Sequence, residues 1–221
     1  MTKAIIFDMD GTILDTIGDI RNSINHALDI MGMPTHDTDK VKMAVSSAAR
    51  IFITRMVPKG TSDEDIEKTY RLFQDHYDKH NAILTRPYDG IIPLLKSLKD
   101  KGFKLAVVSN KYDYLVSALN TRMFEGLFDV SVGVSDAHPI KPAPDMVHHA
   151  LDALGAVPER TLYIGDSDID VKTAKNAHLK MVGVTWGFRP EQTLIDYGAD
   201  LIARSVSELA ETLDKETETW Q

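Results

Sequence analysis

The run Lys3-Ala4-Ile5-Ile6-Phe7-Asp8-Met9-Asp10-Gly11-Thr12 constrains the fold more than any other stretch of this chain. It is a short apolar strand that delivers two carboxylates, one residue apart, into a glycine turn. Side chains at i and i+2 of an extended segment point the same way and sit roughly 6.5 Å apart, so Asp8 and Asp10 share one face at the strand end. Two ionised carboxylates at that distance repel by about 2.5 kcal/mol at an effective dielectric near 20, or about two pKa units. Such a pair binds a hard cation, keeps one carboxyl protonated, or does both. A nucleophile and a proton carrier beside Mg²⁺ use both options. Taken alone, the run also reads as a strand that ends in an ordinary Asp-Gly turn.

The 221 residues suit one large domain, or a core carrying a smaller insertion, and a hydrophobic content of 43% is ample for a buried core. With no cysteine, disulfides, a thiol nucleophile and thiolate-ligated zinc are excluded. A net charge of −8 argues against nucleic-acid binding, which draws on clustered Lys and Arg. A small anion still binds where a metal, a buried lysine or backbone N–H groups make the potential locally positive. No stretch approaches a membrane span or a signal peptide, so no membrane association is expected and the expected location is the cytoplasm.

Apolar runs at residues 3–8, 104–109, 129–134, 161–165 and 180–186 alternate with amphipathic stretches at 91–101, 113–121, 144–154 and 169–177. That alternation predicts an α/β fold, a Rossmann-like parallel sheet with helices on both faces. Residues 15–86 interrupt it with helical patterns alone. Ile17, Ile20, Ile24, Ala27, Leu28 and Met31 make one apolar stripe, ended by Gly32-Met33-Pro34. Further helices are expected over 41–57 and 63–80, the latter opened by the capping signature Ser62-Asp63-Glu64-Asp65. The chain therefore divides into a catalytic core of residues 1–14 and 87–221 and an inserted helical subdomain of 15–86. The tail after Leu213 is expected to fray.

In open parallel sheets, ligands bind beyond the carboxyl ends of the strands. Four such ends carry polar groups: Asp8 and Asp10; Ser109-Asn110; Lys141 in the loop Pro139-Ile140-Lys141-Pro142-Ala143-Pro144-Asp145; and Gly165-Asp166-Ser167-Asp168-Ile169-Asp170. Singly, each has a plain alternative as a helix cap, a loop lysine or an acidic first turn. Together they supply the parts of a phosphoryl-transfer site. Asp8 is the candidate nucleophile and metal ligand, and Asp10 the group that protonates the leaving oxygen and then activates water. Ser109 and Lys141 would hold phosphoryl oxygens, and Asp166 would complete an oxygen-ligand site.

The order Asp-x-Asp-Gly-Thr, Ser-Asn, Lys-Pro, Gly-Asp-Ser-x-x-Asp resembles the haloacid dehalogenase superfamily, specifically its phosphoglycolate-phosphatase-like branch, along essentially the whole chain. The resemblance implies a Mg²⁺-dependent phosphatase of a small phosphorylated metabolite acting through an aspartyl-phosphate. It implies Asp8 as nucleophile and metal ligand, and Asp10 as acid/base that also ligates through its backbone carbonyl. Thr12, Ser109, Asn110 and Lys141 are its phosphate-site residues, Asp166 is a metal ligand, and Asp170 supports the metal from behind. Residues 15–86 correspond to its helical cap, where substrate choice is expected to reside. Halide-removing members lack an acid two residues beyond the nucleophile, so Asp10 points to phosphate chemistry.

Within the cap, the branch tends to carry a glycine-containing turn where this chain has Val45-Ser46-Ser47-Ala48-Ala49-Arg50. Arg50 and Arg55 are the candidates for gripping a substrate carboxylate or second phosphate. Lys111 is a candidate partner for a neighbouring acid. The histidines show no metal-ligand spacing, and the aromatics of Trp186-Gly187-Phe188-Arg189 read as core. Pyrophosphate hydrolysis and sugar-phosphate mutation stay open as alternatives, as does a phospho-acceptor or regulatory protein without turnover.

Overall fold

The computed structural model describes residues 2–45 and 49–220. Its contacts separate the chain into two compact units, one running through Leu14 and resuming at Pro87, the other spanning Asp15–Arg86.

The first unit is built on a six-stranded parallel sheet. In chain order it contains β1 (Thr2–Phe7), α5 (Ile91–Asp100), β4 (Lys104–Tyr112), α6 (Asp113–Phe124), β5 (Val130–Val134) and α7 (Asp145–Leu154). It continues through β6 (Ala156–Gly165), α8 (Asp168–Asn176), β7 (Lys180–Val184), α9 (Glu191–Tyr197), β8 (Leu201–Ala203) and α10 (Val206–Thr217). The strand order is β5-β4-β1-β6-β7-β8. The chain works outward from β1 on one side and then crosses to the other, which places a topological switch point at β1. Phe7 registers with Val107 of β4 and Ile164 of β6, so the polar residues that follow β1 and β6 emerge side by side.

The pleat divides the apolar residues of β1 between two layers. Ala4 and Ile6 join Ala106, Val108, Tyr163, Met146, Val147 and Val171 in a buried cluster beneath α7 and α8. Phe7 faces the other way and meets Phe128 edge-on at 6.0 Å. Asp8 continues the Ala4–Ile6 face, so its carboxylate is carried toward the loops before α7 and α8. At the edge, β5 is held to β4 partly through Asp129, whose carboxylate accepts the Leu105 N–H at 2.9 Å and bonds from Lys99 and Lys104.

Strands β1, β4, β5, β6 and β7 lie where the apolar runs place them. The sixth, β8, and the helices α9 and α10 were not read from the sequence. Three residues of β8 are too few to show a period, and the adjoining helices are mostly polar. The tail does not fray at Leu213. Helix α10 runs on to Thr217, because Leu209 and Leu213 are buried and Glu216 and Asp214 pair with Lys180 and Lys101.

The second unit holds α1 (Ile17–Ile30), α2 (Thr38–Ala44), α3 (Ala49–Met56) and α4 (Asp63–His80). The short strands β2 (Leu14–Asp15) and β3 (Arg86–Pro87) lie where the chain leaves the first unit and returns to it. The expected helix over 41–57 is two helices. Asp37 caps the first by accepting the Lys40 N–H at 2.8 Å, and Val45 is already extended, with φ −67° and ψ 165°. Val-Ser-Ser favours such a break, since a β-branched residue and hydroxyls that compete for backbone bonds are poor helix formers. Residues 46–48 of the turn that departs from the branch lie outside the described residues. Ser62 caps α4 as its signature predicts. The Asp19 carboxylate, buried inside this unit, accepts the N–H groups of Ile83, Leu84 and Thr85 and the Thr85 hydroxyl, closing off the chain after α4.

Helices α1 and α4 also bring three imidazoles into one stack: His76 lies 4.2 Å from His26 and 4.0 Å from His80, ring centre to ring centre. Burial, with the neighbouring His80, His26 and Lys79, lowers the pKa of His76 from its ordinary 6.5. The unfolded chain therefore takes up a proton that the folded one resists. This contribution to stability is complete above pH 6.5 and declines as pH falls below it. Hydrogen-exchange protection of α1 and α4 amides, corrected for intrinsic rates, should drop between pH 7.5 and 5, and His76→Phe should flatten the drop. Protection that rises on acidification would contradict this account.

Candidate functional site

The carboxyl ends of β1, β4 and β6 enclose the most charged buried cluster among the described residues. Asp8 follows Phe7 directly and is pinned by its N–H to the Ile164 carbonyl at 2.8 Å. Its Oδ1 accepts from Lys141 Nζ at 2.7 Å. The same ammonium donates to Asp170 Oδ1 at 2.7 Å, to the Tyr163 hydroxyl at 3.1 Å and to the Val108 carbonyl at 3.3 Å. Lys141 is 4% exposed, so the buried ammonium is retained only because its partners converge on it. Burial alone would lower its pKa, but Asp170 and Asp8 outweigh that and hold it well above the ordinary lysine value.

The loop that carries Lys141 is fastened from β4. Asn110 Oδ1 accepts the Lys141 N–H at 2.8 Å, and its Nδ2 donates to the Lys141 carbonyl at 3.1 Å. The Lys141–Pro142 peptide is cis. Ser109, buried beside Asn110, accepts the Lys111 N–H through Oγ at 3.2 Å.

Asp170 is placed by the first turn of α8, where it completes a capping box. Ser167 Oγ accepts the Asp170 N–H, while Ser167 N–H and Oγ–H donate to Asp170 Oδ2 at 3.1 and 2.6 Å. Tyr163 O–H donates to Asp170 Oδ1 at 3.0 Å. A carboxylate offers about four lone-pair sites, and the protein occupies all of those on Asp170.

Asp166 is engaged more lightly. Thr12 Oγ1 donates to its Oδ1 at 3.3 Å, and the Phe188 N–H donates to its Oδ2 at 2.6 Å. Two glycines give it room. A Cβ on Gly11, which has φ +85°, would lie 2.4 Å from Asp166 Oδ2, and one on Gly187 would lie 2.3 Å from it. Burial, reinforced by Asp170, pushes the Asp166 carboxyl up to about 7 against the pull of the Phe188 N–H, Arg189 and Lys141. Asp8 is likewise raised well above the ordinary carboxyl range, first by burial and then by Asp170 and Asp166, with Lys141 opposing.

Asp8, Asp166 and Asp170 each bring an oxygen within 4.8 Å of the others, an acidic cluster in which Asp8 and Asp166 keep lone pairs for a metal ion. The donor set suits a hard divalent cation: all oxygen, buried, and carrying more negative charge than one ammonium cancels. Asp10 stands beside it. Its Oδ2 pairs with Lys111 Nζ at 3.1 Å, while Oδ1 is buried and accepts no hydrogen bond among the described residues.

The structure therefore brings Asp8, Lys141, Asp166 and Asp170 into one constellation, with Thr12 bonded to Asp166 and Asn110 to the Lys141 backbone. Arg50 and Arg55 sit in the helical unit. Arg50 is exposed and lies 3.8 Å from both Asp63 and Glu67, and Arg55 Nη1 donates to the Ala44 carbonyl at 3.1 Å. Sequence reading missed Tyr163, which looks like one more apolar strand residue, and took the aromatics of the Trp186–Phe188 segment for core without the bonds they bring to the site. Phe188 is buried as read from its chemistry, but its backbone N–H and the bond from Trp186 Nε1 to the Thr12 carbonyl at 3.0 Å shape the site. Gly187, just past the apolar run 180–186, was the available signal.

The chain matches the model of the haloacid dehalogenase-like hydrolases over residues 5–184. It is 34% identical over 187 residues to a phosphoglycolate phosphatase of Aquifex aeolicus, covering 84% of this chain and 86% of that one. It is 33% identical over 215 residues to an N-acetylmuramic acid 6-phosphate phosphatase of Pseudomonas aeruginosa, covering 96% and 95%. A crystal structure from Lactobacillus delbrueckii subsp. bulgaricus, 34% identical, superposes with a TM-score of 0.92 over 96% of this chain and 99% of the other.

The stability of the cluster depends on the lone ammonium. Lys141→Met should cost about 3–5 kcal/mol in denaturant unfolding with chelator present, because buried carboxylates lose their counter-charge. Adding Asp170→Asn should recover part of that loss. A Lys141→Met protein as stable as the parent would refute the proposed balance.

Proposed function

Because this chain belongs to the haloacid dehalogenase-like hydrolase family, we propose that its Asp8 centre hydrolyses phosphomonoesters of small metabolites through an aspartyl-phosphate. The observation that carries this reading is the division of labour at the end of β1. Lys141 fixes one oxygen of Asp8 at 2.7 Å, while Asp10, two residues on, keeps a buried oxygen without a hydrogen-bond partner among the described residues.

Asp8 Oδ2 attacks phosphorus in line with the ester oxygen. As that P–O bond breaks, Asp10 gives a proton from Oδ1 to the leaving oxygen, and Lys111 keeps its hold on Oδ2. Asp10, now a carboxylate, takes a proton from water as the water oxygen attacks phosphorus and releases Asp8 and inorganic phosphate. Ser109 and Lys141 hold phosphoryl oxygens, the ammonium giving up its longest bonds, to the Val108 carbonyl at 3.3 Å and the Tyr163 hydroxyl at 3.1 Å, to do so. Asn110 contributes by fixing the Lys141 backbone, and Thr12 by orienting Asp166.

Mg²⁺ is the ion proposed for the acidic cluster, held by Asp8, Asp166 and the Asp10 carbonyl, with Asp170 supporting from behind. When bound, it neutralises charge on the phosphoryl oxygens. The substrate is proposed to be a small phosphate ester of the kind the relatives' names indicate, 2-phosphoglycolate or a sugar-acid phosphate.

Phosphate release should be measured with Mg²⁺ on 2-phosphoglycolate, N-acetylmuramic acid 6-phosphate, pyrophosphate and hexose phosphates. Turnover should vanish with EDTA and return with Mg²⁺. Asp8→Asn should lower kcat/KM by about 10³-fold or more, and Asp10→Asn by about 10²–10⁴-fold. Undiminished turnover in Asp8→Asn would end the proposal.

A further inference from the structure

The helical unit contains a cavity of about 590 Å³ formed entirely by its own residues. Pro34 and His36 line it from the loop after α1, Lys40 and Met43 from α2, Arg55 from α3, and Lys59 from the loop that follows. Among the described residues that line it, three are permanent cations and none is an acid. That is unexpected in a chain with 33 acidic and 25 basic residues. Three other arginines of this unit stand beside carboxylates, Arg50 beside Asp63 and Glu67, Arg71 beside Glu67 and Arg86 beside Asp15, while Arg21 bonds to Thr38 and Asn22. Among the described residues, the ammonium groups of Lys40 and Lys59 have neither a hydrogen bond nor an ion pair.

The cavity is also pre-shaped. Arg55 Nη1 is tied to the Ala44 carbonyl at the end of α2, and among the described residues that bond leaves most of the donors of the guanidinium fork unspent. His36 is fixed at both ends: its ring Nε2 lies 2.7 Å from the Met56 carbonyl, and its backbone exchanges bonds with the Asn25 amide at 2.8 and 2.9 Å. Met43, Pro34, Met56, Val57 and Pro58 add apolar wall, and Met43 is 58% exposed. Cations beside an apolar wall suit a ligand with an anionic head and an apolar body.

We propose that the helical unit carries a second anion site, lined by Lys40, Arg55 and Lys59, for a small organic phosphate or phosphonate. It is independent of the chemistry at Asp8. The ligand is recognised by two lysine point charges and one planar fork at its head, with Met43 and the prolines against its body.

The test uses the full-length ¹⁵N-labelled protein titrated with phenylphosphonate, whose P–C bond this chemistry does not cleave. Saturable amide shifts should appear over residues 38–44 and 54–59. Lys40→Glu with Lys59→Glu should weaken the affinity about tenfold or more, and Lys68→Glu, on an exposed part of α4, should leave it unchanged. Phosphate release by Lys40→Gln/Lys59→Gln should match the parent. Three results would overturn the proposal: no saturable shift in those segments, equal weakening by Lys68→Glu, or loss of turnover in the glutamine variant. The last would make the cavity part of the reacting substrate's own site. Turnover on the metabolite panel is measured separately, so failure of the proposed activity and failure of this site are distinguishable.

Discussion

One ammonium, Lys141 Nζ, makes the rest of the first unit possible. It meets Asp8, Asp170, Tyr163 and a backbone carbonyl in a space closed to solvent. Each ion placed there costs several kcal/mol of hydration, and the cost is offset only by partners held at hydrogen-bonding distance. That demand explains why so much of the neighbourhood is fastened. The Asn110 amide grips both backbone polar groups of Lys141, and the capping box locks Asp170 before it receives the lysine. The anchors lie on β4 and α8, so the lysine ties three separate stretches of chain together at the switch point of the sheet.

The arrangement remains electrically incomplete. A single ammonium faces the carboxylates of Asp8, Asp166 and Asp170, and the excess negative charge, added to burial, raises Asp8 and Asp166 above the ordinary carboxyl range. The environment is thus biased toward taking up positive charge, either as protons or as a cation. Both outcomes suit a centre that handles phosphate, because the anion enters only where negative charge has been neutralised.

How much could be read in advance follows from the scale of each signal. Strands buried on both faces announce themselves as continuous apolar runs, and polar residues at their carboxyl ends stand out against that background. This is why Asp8, Lys141 and Asp166 were legible. Strand β8 was too short to show a period, and the break between α2 and α3 was hidden by helical spacing on either side. Tyr163 sits in an apolar run, where its ring is indistinguishable from packing. Only the fold shows that its hydroxyl reaches Asp170. The backbone N–H of Phe188 carries no side-chain identity at all, so nothing but the adjoining glycine marked it. Arg50 and Arg55 were visible as arginines, but their partners Asp63, Glu67 and the Ala44 carbonyl are set by helix packing that spacing alone does not give.

Three carboxylates of identical chemistry are separated by what the protein leaves them. Asp170 has each oxygen taken twice, by Lys141 and Tyr163 on one side and by the backbone and hydroxyl of Ser167 on the other. Asp166 accepts one bond on each oxygen, and Asp8 accepts from Lys141 on Oδ1. A group with every lone pair engaged is a fixed counter-charge. One with lone pairs left can coordinate a cation or attack an electrophile. Asp170 therefore belongs to the scaffold although it lies in the same cluster, and the capacity for chemistry falls to Asp8 and Asp166. The sequence places an acid at each of these positions; Ser167, Tyr163 and the glycines around Asp166 decide which of them stays free to react.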